Sequence, residues 1–259
     1  MPAEHTVSSN ARVAIVTGGS RGLGRSTVIS LAKRGVHSIF TYHSNRAEAG
    51  KVVSAVSEEG ARAIALQLDT GNTGAFGAFV QSVRESLATL GAERFDYLVN
   101  NAGTSHHNAF ERTTEKELDD LYNVHFKGVF FLTQKLLPLL NDGGRIVNIS
   151  SGLTRFALPG SGSYASMKGA VEVLTRYLAK ELGARGIAVN TVAPGAIATD
   201  FSGGMVRDNP EINKRVAEMT ALGRVGVPED IGPMIASLLS EENRWINAQR
   251  IEVSGGMVV

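Results

Sequence analysis

With 259 residues, 43% of them hydrophobic and 20% charged, the chain is long and apolar enough to bury the core of one large α/β domain. Lys and Arg number 26 against 25 for Asp and Glu, so a net charge of +1 offers no basic excess for nucleic acid or an anionic membrane. The absence of cysteine excludes disulfides, thiolate metal sites and cysteine nucleophiles, and it fits a cytoplasmic setting.

Residues 1–10 carry Glu4 and His5 and no apolar run, so they read as a loose tail rather than a signal peptide. No later apolar stretch has the length of a membrane span. Arg12 to Thr17 is a short apolar run and predicts a buried strand, followed at once by Thr17-Gly-Gly-Ser-Arg-Gly-Leu-Gly24. A helical pattern then runs to about Arg34 and stops at Gly35. Strands are expected at Val36–Tyr42, Ala61–Leu68, Phe95–Val99, Ile146–Ile149, Gly186–Val192 and Arg250–Val253. Helices are expected between them at Asn45–Glu59, Thr73–Leu90, Thr114–Leu140 (with Pro138 in its last turns), Ser163–Gly183 and Pro228–Leu239. This alternation predicts a single α/β domain over 1–259, with a parallel sheet covered by helices on both faces. Gly195 to Gly226 is irregular, with a helical pattern near Ile212–Thr220, and reads as a lid over a site.

Three features carry chemistry. The first is Gly18, Gly22 and Gly24 between the first strand and first helix. Glycines there let the backbone approach a pyrophosphate, and the helix N-terminus favours its charge. Their spacing is G-x-x-x-G-x-G, not the commonest dinucleotide fingerprint. The second is the clustering of polar and glycine residues at the strand ends: Asn100-Asn101-Ala102-Gly103, Ser150-Ser151 and Asn190 to Gly195. The third is Tyr164-Ala-Ser-Met-Lys168. Four residues apart on a helix, the phenol and the ammonium share a face, and the positive charge is expected to lower the phenol pKa from ~10 toward neutrality. A solvated Tyr–Lys pair is the common outcome of that spacing taken alone. His106 and His107 have no third ligand at metal spacing and read as solvated loop residues; no metal site is expected.

These motifs, in this order and spacing, make the chain resemble the short-chain dehydrogenase/reductase family across essentially its whole length. The resemblance implies a Rossmann-type doubly wound sheet of seven parallel strands and a nicotinamide cofactor. It implies Tyr164 as the acid/base at the carbonyl oxygen and Ser151 as its hydrogen-bonding partner, with Ser150 the nearest rival. It implies Lys168 as the group that tunes Tyr164 and holds the cofactor ribose. Asn123, mid-way along the long helix, is matched to the family's fourth catalytic residue. Around Gly18, Gly22 and Gly24, the implied dinucleotide contacts are Ser20, Arg21, Leu23, Asp69, Asn101, Ala102, Gly103, Tyr164, Lys168, Pro194, Gly195, Ile197 and Thr199. A strand-end cap is the plainer role for Asp69. The long helix and the one starting at Ser163 are implied as a homotetramer interface.

The second strand ends Tyr42-His43-Ser44-Asn45-Arg46, with no acid before Glu48. An NAD site usually places a carboxylate there for the ribose hydroxyls. Arg21 and Arg46, with Ser44 and Asn45, are therefore expected to receive the 2′-phosphate of NADP(H). The leading reading is an NADP-dependent oxidoreductase acting on a small-molecule ketone or secondary alcohol. An alternative is reduction of 3-oxoacyl groups on acyl carrier protein, disfavoured because Asn141-Asp142 stands where such enzymes often carry a basic residue. A non-catalytic dinucleotide-binding regulator is a lesser alternative, and a purely structural subunit would bind no cofactor.

Overall fold

The computed structural model describes residues 12–259; the expected tail over residues 1–10 lies outside the described residues. Strand β1 (Val13–Val16) is buried along its whole length and lies mid-sheet, flanked by β2 (His37–Tyr42) and β4 (Phe95–Asn100). With β3 (Ala63–Gln67), β5 (Leu140–Ile149), β6 (Ala188–Pro194) and β7 (Arg250–Val253), the order is β3-β2-β1-β4-β5-β6-β7. Every pairing is parallel. The expected seven-stranded doubly wound sheet is therefore present. Alternate residues of each strand point to opposite faces. Val13 and Ile15 accordingly enter one core cluster with Phe76, Phe79 and Leu132. Ala14 and Val16 enter the other with Val28, Val52 and Ile231. Burying each such aliphatic side chain contributes ~1.5–3 kcal/mol, so the continuous apolar strands hold both helical layers.

The helices are α1 (Gly22–Ala32), α2 (Arg46–Glu58), α3 (Phe76–Leu90), α4 (Glu115–Tyr122), α5 (Gly128–Leu136), α6 (Gly162–Leu182), α7 (Met205–Asp208), α8 (Pro210–Glu218) and α9 (Pro228–Leu238). The long helix expected over Thr114–Leu140 is interrupted. It starts at a capping box, Thr114 receiving the Glu117 N–H while the Glu117 carboxylate receives the Thr114 N–H. Residues Asn123–Lys127 form a π-helical turn, closed by the Gly128 N–H on the Asn123 carbonyl. A Cβ on Gly128 would run into the Thr70 carbonyl, so only glycine lets the turn press against that loop. The helix then ends at Leu136, because Leu137-Pro138-Leu139 tightens into a 3₁₀ turn.

Strand β5 begins six residues earlier than expected. Leu140 pairs with Phe95, the register slips, and pairing resumes at Arg145 opposite Tyr97. Gly143 (φ +75°) takes the left-handed conformation that the slip requires. The segment 195–226 is more ordered than its composition implied. It holds a 3₁₀ turn at Phe201–Gly204, then α7 and α8, and is tied back by an isolated bridge between Ile197 and Gly226. Among the described residues no helix is long and apolar enough to cross a membrane.

Candidate active site

The carboxyl ends of β1, β4, β5 and β6 open on one side of the sheet, and the order reverses between β1 and β4, where open α/β sheets bind ligands. Gly18 (φ +67°) and Gly22 (φ +54°) turn the chain from β1 into α1. A Cβ on Gly24 would collide with the Gly18 carbonyl, and one on Gly19 would overlap the Phe40 ring. The loop is thus pressed flat against β2, with Ser20 half-buried and Arg21 exposed. Leu23 packs on the core. No side chain caps the first turn of α1, and Arg21 stands at the N-cap. Uncapped N–H groups at a glycine-lined helix N-terminus fit a pyrophosphate.

Asn101 faces this loop from β4. Its Nδ2 donates to the carbonyls of Thr17 (2.8 Å) and Gly18 (3.1 Å). The Thr17 hydroxyl accepts from the Asn101 and Ala102 N–H groups, both at 2.9 Å. Asn101 therefore staples two strand ends together, and Thr17, at the head of the glycine motif, is its counterpart. Pro194 ends β6, and Gly195 passes so close to Ser254 that a Cβ would clash. Beyond it, Thr199 lies over Gly22 and Ile197 packs against the core.

Ser151, Tyr164 and Lys168 meet at the end of β5. Ser151 caps the 3₁₀ turn Gly152–Thr154, accepting from the Leu153 N–H at 3.2 Å, and stands near enough to the Tyr164 hydroxyl to act on its titration. Ser150 points away, donating to Glu172 Oε1 at 2.6 Å, which separates the two serines. Glu172 also receives Thr154 Oγ1 (2.7 Å) and Arg250 Nε (2.9 Å), while Arg250 Nη2 donates to the Ser151 carbonyl (3.2 Å). This ion pair braces the serine turn from behind. Lys168 is 5% exposed; its Nζ donates to the Ile149 carbonyl at 2.7 Å and lies 5.5 Å from the Tyr164 ring centroid.

The electrostatics differ from the expectation. Burial pushes the Tyr164 phenol up from its ordinary value, and the nearby Ser151 hydroxyl only partly offsets it. Burial also lowers Lys168 to about 7, and the removal of water from around the phenol is the dominant cause of its upward shift. Spacing on a helix reports proximity, whereas the shift follows from how much water the fold removes.

Asn123 does not join this cluster. It stands against Gly71, its Cβ 3.9 Å from where a Gly71 Cβ would lie, beside Asp69. Two residues along a helix lie on nearly opposite sides of its axis, so the side facing Tyr164 belongs to His125. The His125 ring meets the Tyr164 ring edge-to-face at 5.2 Å and 90°. Sequence reading missed it because a histidine between Val124 and Phe126 carries no local signal of where it points.

The outer contacts are partly committed elsewhere. Asp69 Oδ1 accepts from the Gly71 N–H (2.9 Å), the strand-end turn that was the plainer expectation. Asn45 caps α2 through the Glu48 N–H (3.1 Å), with exposed Ser44 and Arg46 on either side. Arg21 faces Asp200 at 3.8 Å. His106 is half-buried and stands 3.8 Å from Asp120, and His107 is exposed, as expected, with its ring beside Gly160.

A family model described as enoyl-(acyl carrier protein) reductase matches residues 18–258. Hydroxynaphthalene reductase-like protein Arp2 of Metarhizium brunneum is 36% identical over 258 residues, covering 95% of each chain. A short-chain type dehydrogenase/reductase of Picea abies is 36% identical over 258 residues, covering 95% of this chain and 92% of its own. The 3-oxoacyl-[acyl-carrier-protein] reductase FabG of Staphylococcus aureus is 35% identical over 246 residues, covering 94% and 97%. Among solved structures, the promiscuous reductase LugOII, which catalyses keto-reduction in lugdunomycin biosynthesis, superposes with a TM-score of 0.91 at 39% identity, covering 96% and 98%. The angucycline C-6 ketoreductase LanV with bound NADP gives 0.91 at 34% identity, covering 95% of each chain. With the Ser151–Tyr164–Lys168 cluster at the mouth of a doubly wound sheet, the chain belongs to the short-chain dehydrogenase/reductase family and is an oxidoreductase of carbonyl and alcohol groups.

Proposed function

We propose that the chain is an NADPH-dependent reductase of a ring-borne ketone, with Tyr164 as proton donor. The carrying observation is that the Ser151 and Tyr164 hydroxyls converge beside an uncapped glycine cradle. NADPH, when bound, supplies the hydride. Ser151 Oγ and Tyr164 Oη hold the substrate oxygen, and Tyr164 gives it the phenolic proton. A phenol that burial keeps protonated is suited to donating, and Lys168 Nζ behind it is the nearest cation to steady the phenolate left. Arg21 and Arg46 are solvent-accessible cations at the mouth of the cradle, and no acid stands between Tyr42 and Arg46, which supports NADPH over NADH.

Two points support an aromatic ring system as substrate. Phe201 reaches over from the segment after β6 to within 6.0 Å of the Tyr164 ring. Relatives named for hydroxynaphthalene and angucycline ketones share the fold over nearly the whole chain. Acyl-carrier reduction is the second reading, supported by the FabG relative. Against it, Arg185 is neutralised by Asp142 at 2.7 Å, where an acidic carrier would need free cations. We also infer a cytoplasmic homotetramer without nucleic-acid or membrane partners, supported by the balanced charge and by exposed Phe130, Phe131, Val173 and Tyr177 on α5 and α6.

The test is kcat/KM with NADPH and NADH on a bicyclic aromatic ketone and on a 3-oxoacyl thioester. Tyr164→Phe is expected to lose more than tenfold in kcat, over ~1.4 kcal/mol of barrier, while NADPH binding persists. Arg21→Ala and Arg46→Ala are expected to weaken NADPH by about one to two powers of ten, the worth of a charge-assisted hydrogen bond, and to spare NADH. A wild type that prefers NADH, or a Tyr164→Phe enzyme at full speed, defeats the reading; a thioester preference selects the carrier alternative.

A further inference from the structure

Three consecutive residues at the end of β5 are each gripped by a different charged group. Lys168 Nζ donates to the Ile149 carbonyl (2.7 Å), the Ser150 hydroxyl donates to Glu172 Oε1 (2.6 Å), and Arg250 Nη2 donates to the Ser151 carbonyl (3.2 Å). The grip continues at Thr154. Its Oγ1 lies 2.7 Å from Glu172 Oε1 and 2.9 Å from the Ser151 carbonyl, and accepts from Arg250 Nη2 at 3.1 Å. A hydroxyl has one proton to give. It goes to the nearer and charged oxygen, that of Glu172. Arg250 is then the donor left to hold the Ser151 carbonyl. Ser151 Oγ in turn accepts from the Leu153 N–H, which leaves its own proton to point outward.

Glu172 follows Lys168 by four residues and Tyr164 by eight along α6, so the three side chains lie on one side of that helix. The helix therefore places Tyr164 directly and the backbone of Ser151 through Glu172 and Arg250. Glu172 and Arg250 meet at 2.9 Å with side chains only 13% and 24% exposed, so water does little to loosen them. A pair this far from water adds little net stability, because desolvating both charges offsets their attraction. What it imposes is direction. A guanidinium is a rigid planar fork, and here Nε meets Glu172, Nη2 meets the Ser151 carbonyl and Nη1 meets Glu252 Oε2 at 3.1 Å.

We propose that Glu172 and Arg250 are positioning residues of the reaction: they fix the Ser151 carbonyl, and with it the aim of the Ser151 hydroxyl, so that α6 sets the gap between the Ser151 and Tyr164 hydroxyls. They act through Ser151 and not on the substrate. The inference rests on the proposed reading of Ser151 Oγ as a holder of the substrate oxygen.

A double-mutant cycle on kcat tests it. Arg250→Met is expected to lower kcat about tenfold in the wild-type background and less than about twofold in Ser151→Ala, the non-additivity of groups that act as one unit. NADPH KM and fluorescence quenching are expected to stay unchanged in all four proteins. Glu172→Gln keeps the shape and one acceptor, and is expected to lose about threefold or more in kcat, again only while Ser151 is present. It carries the test if Arg250→Met does not fold. Amide exchange at Leu153, whose N–H is held by Ser151 Oγ, should be faster in both variants. Arg155→Met serves as the comparison. It cuts the ties of Arg155 to Glu252 and to the Met257 and Val258 carbonyls but leaves the Ser151 carbonyl held, so its kcat is expected within about twofold of wild type. Losses that multiply independently of Ser151 overturn the proposal. So does an Arg155→Met enzyme as slow as Arg250→Met, or a loss matched by weaker NADPH binding, either of which marks a merely structural role. If Ser151→Ala keeps full turnover, the reading of Ser151 fails and this inference falls with it. If Ser151→Ala is slow while Arg250→Met and Glu172→Gln turn over like wild type, the inference alone fails.

Discussion

Lys168 shows at the residue scale what the site costs the fold. In the unfolded chain a lysine titrates near ~10.4, whereas burial lowers Lys168 to about 7 in the native chain. Between those values the unfolded state binds more protons, so stability rises with pH through the window and is lowest at or below the native value. The gap corresponds to a native-state penalty on the order of 4 kcal/mol at neutral pH. Lys168→Met is expected to melt above wild type at pH 7, with the difference shrinking toward pH 10, while turnover collapses. Thermal midpoints across that range check it; a variant that melts lower at every pH removes the argument. The buried polar chain behind the site has the opposite character. Asn100 Nδ2 donates to Thr133 Oγ1 (3.0 Å) and Asn148 Oδ1 (2.8 Å), and Asn148 Nδ2 donates to Thr175 Oγ1 (2.9 Å). Every member named there has a partner, so it ties β4 and β5 to α5 and α6 without leaving a buried polar group unpaired.

At the scale of elements, the segment after β6 is the part whose conformation the substrate would most affect. Ser202 (φ +55°), Gly203 (φ +69°) and Gly204 (φ +77°) all take the left-handed conformation, and only the serine among them carries a Cβ penalty. The segment reaches back over the site: Ser202 shares a 2.8 Å hydrogen bond with Ser105, and Phe201 faces Tyr164. Few buried side chains hold it, since Phe201, Ser202 and Gly203 are all exposed. That combination is what a lid requires: weak anchoring with a few specific latches. Residues 195–226 are proposed as that lid. Amide hydrogen exchange there is expected to be fast in the free chain and at least several-fold slower with NADPH and a ketone analogue bound. Identical protection in both states would rule a lid out.

At the scale of the whole molecule, four exposed large apolar side chains fall on two helices. Phe130 and Phe131 on α5 and Val173 and Tyr177 on α6 lie on the two helices that carry the site's wall on their inner faces. An apolar outer face on such helices is what an interface between copies needs. Tyr177, 65% exposed, can change without disturbing the core of one chain. Tyr177→Glu is expected to reduce the sedimenting mass below four chains and to lower the melting temperature in a concentration-dependent way. A wild type that sediments as a monomer, or a variant with unchanged mass, counts against the tetramer.

What the sequence determined by itself is what local chemistry encodes. Apolar runs alternating with helical patterns dictate a parallel sheet, because each strand must be buried on both faces. Glycines at 18, 22 and 24 dictate a backbone surface open to an anion, and the Tyr164–Lys168 spacing dictates one shared helix face. The tertiary structure alone decided which groups those faces meet. It turned Asn123 toward Gly71 and His125 toward Tyr164, through a π-helical turn that Gly128 makes possible. It gave Ser150 to Glu172 and Ser151 to Tyr164. It also reversed the direction of the Tyr164 shift. A pKa answers to water excluded by residues from distant parts of the chain, and no spacing within one helix carries that information.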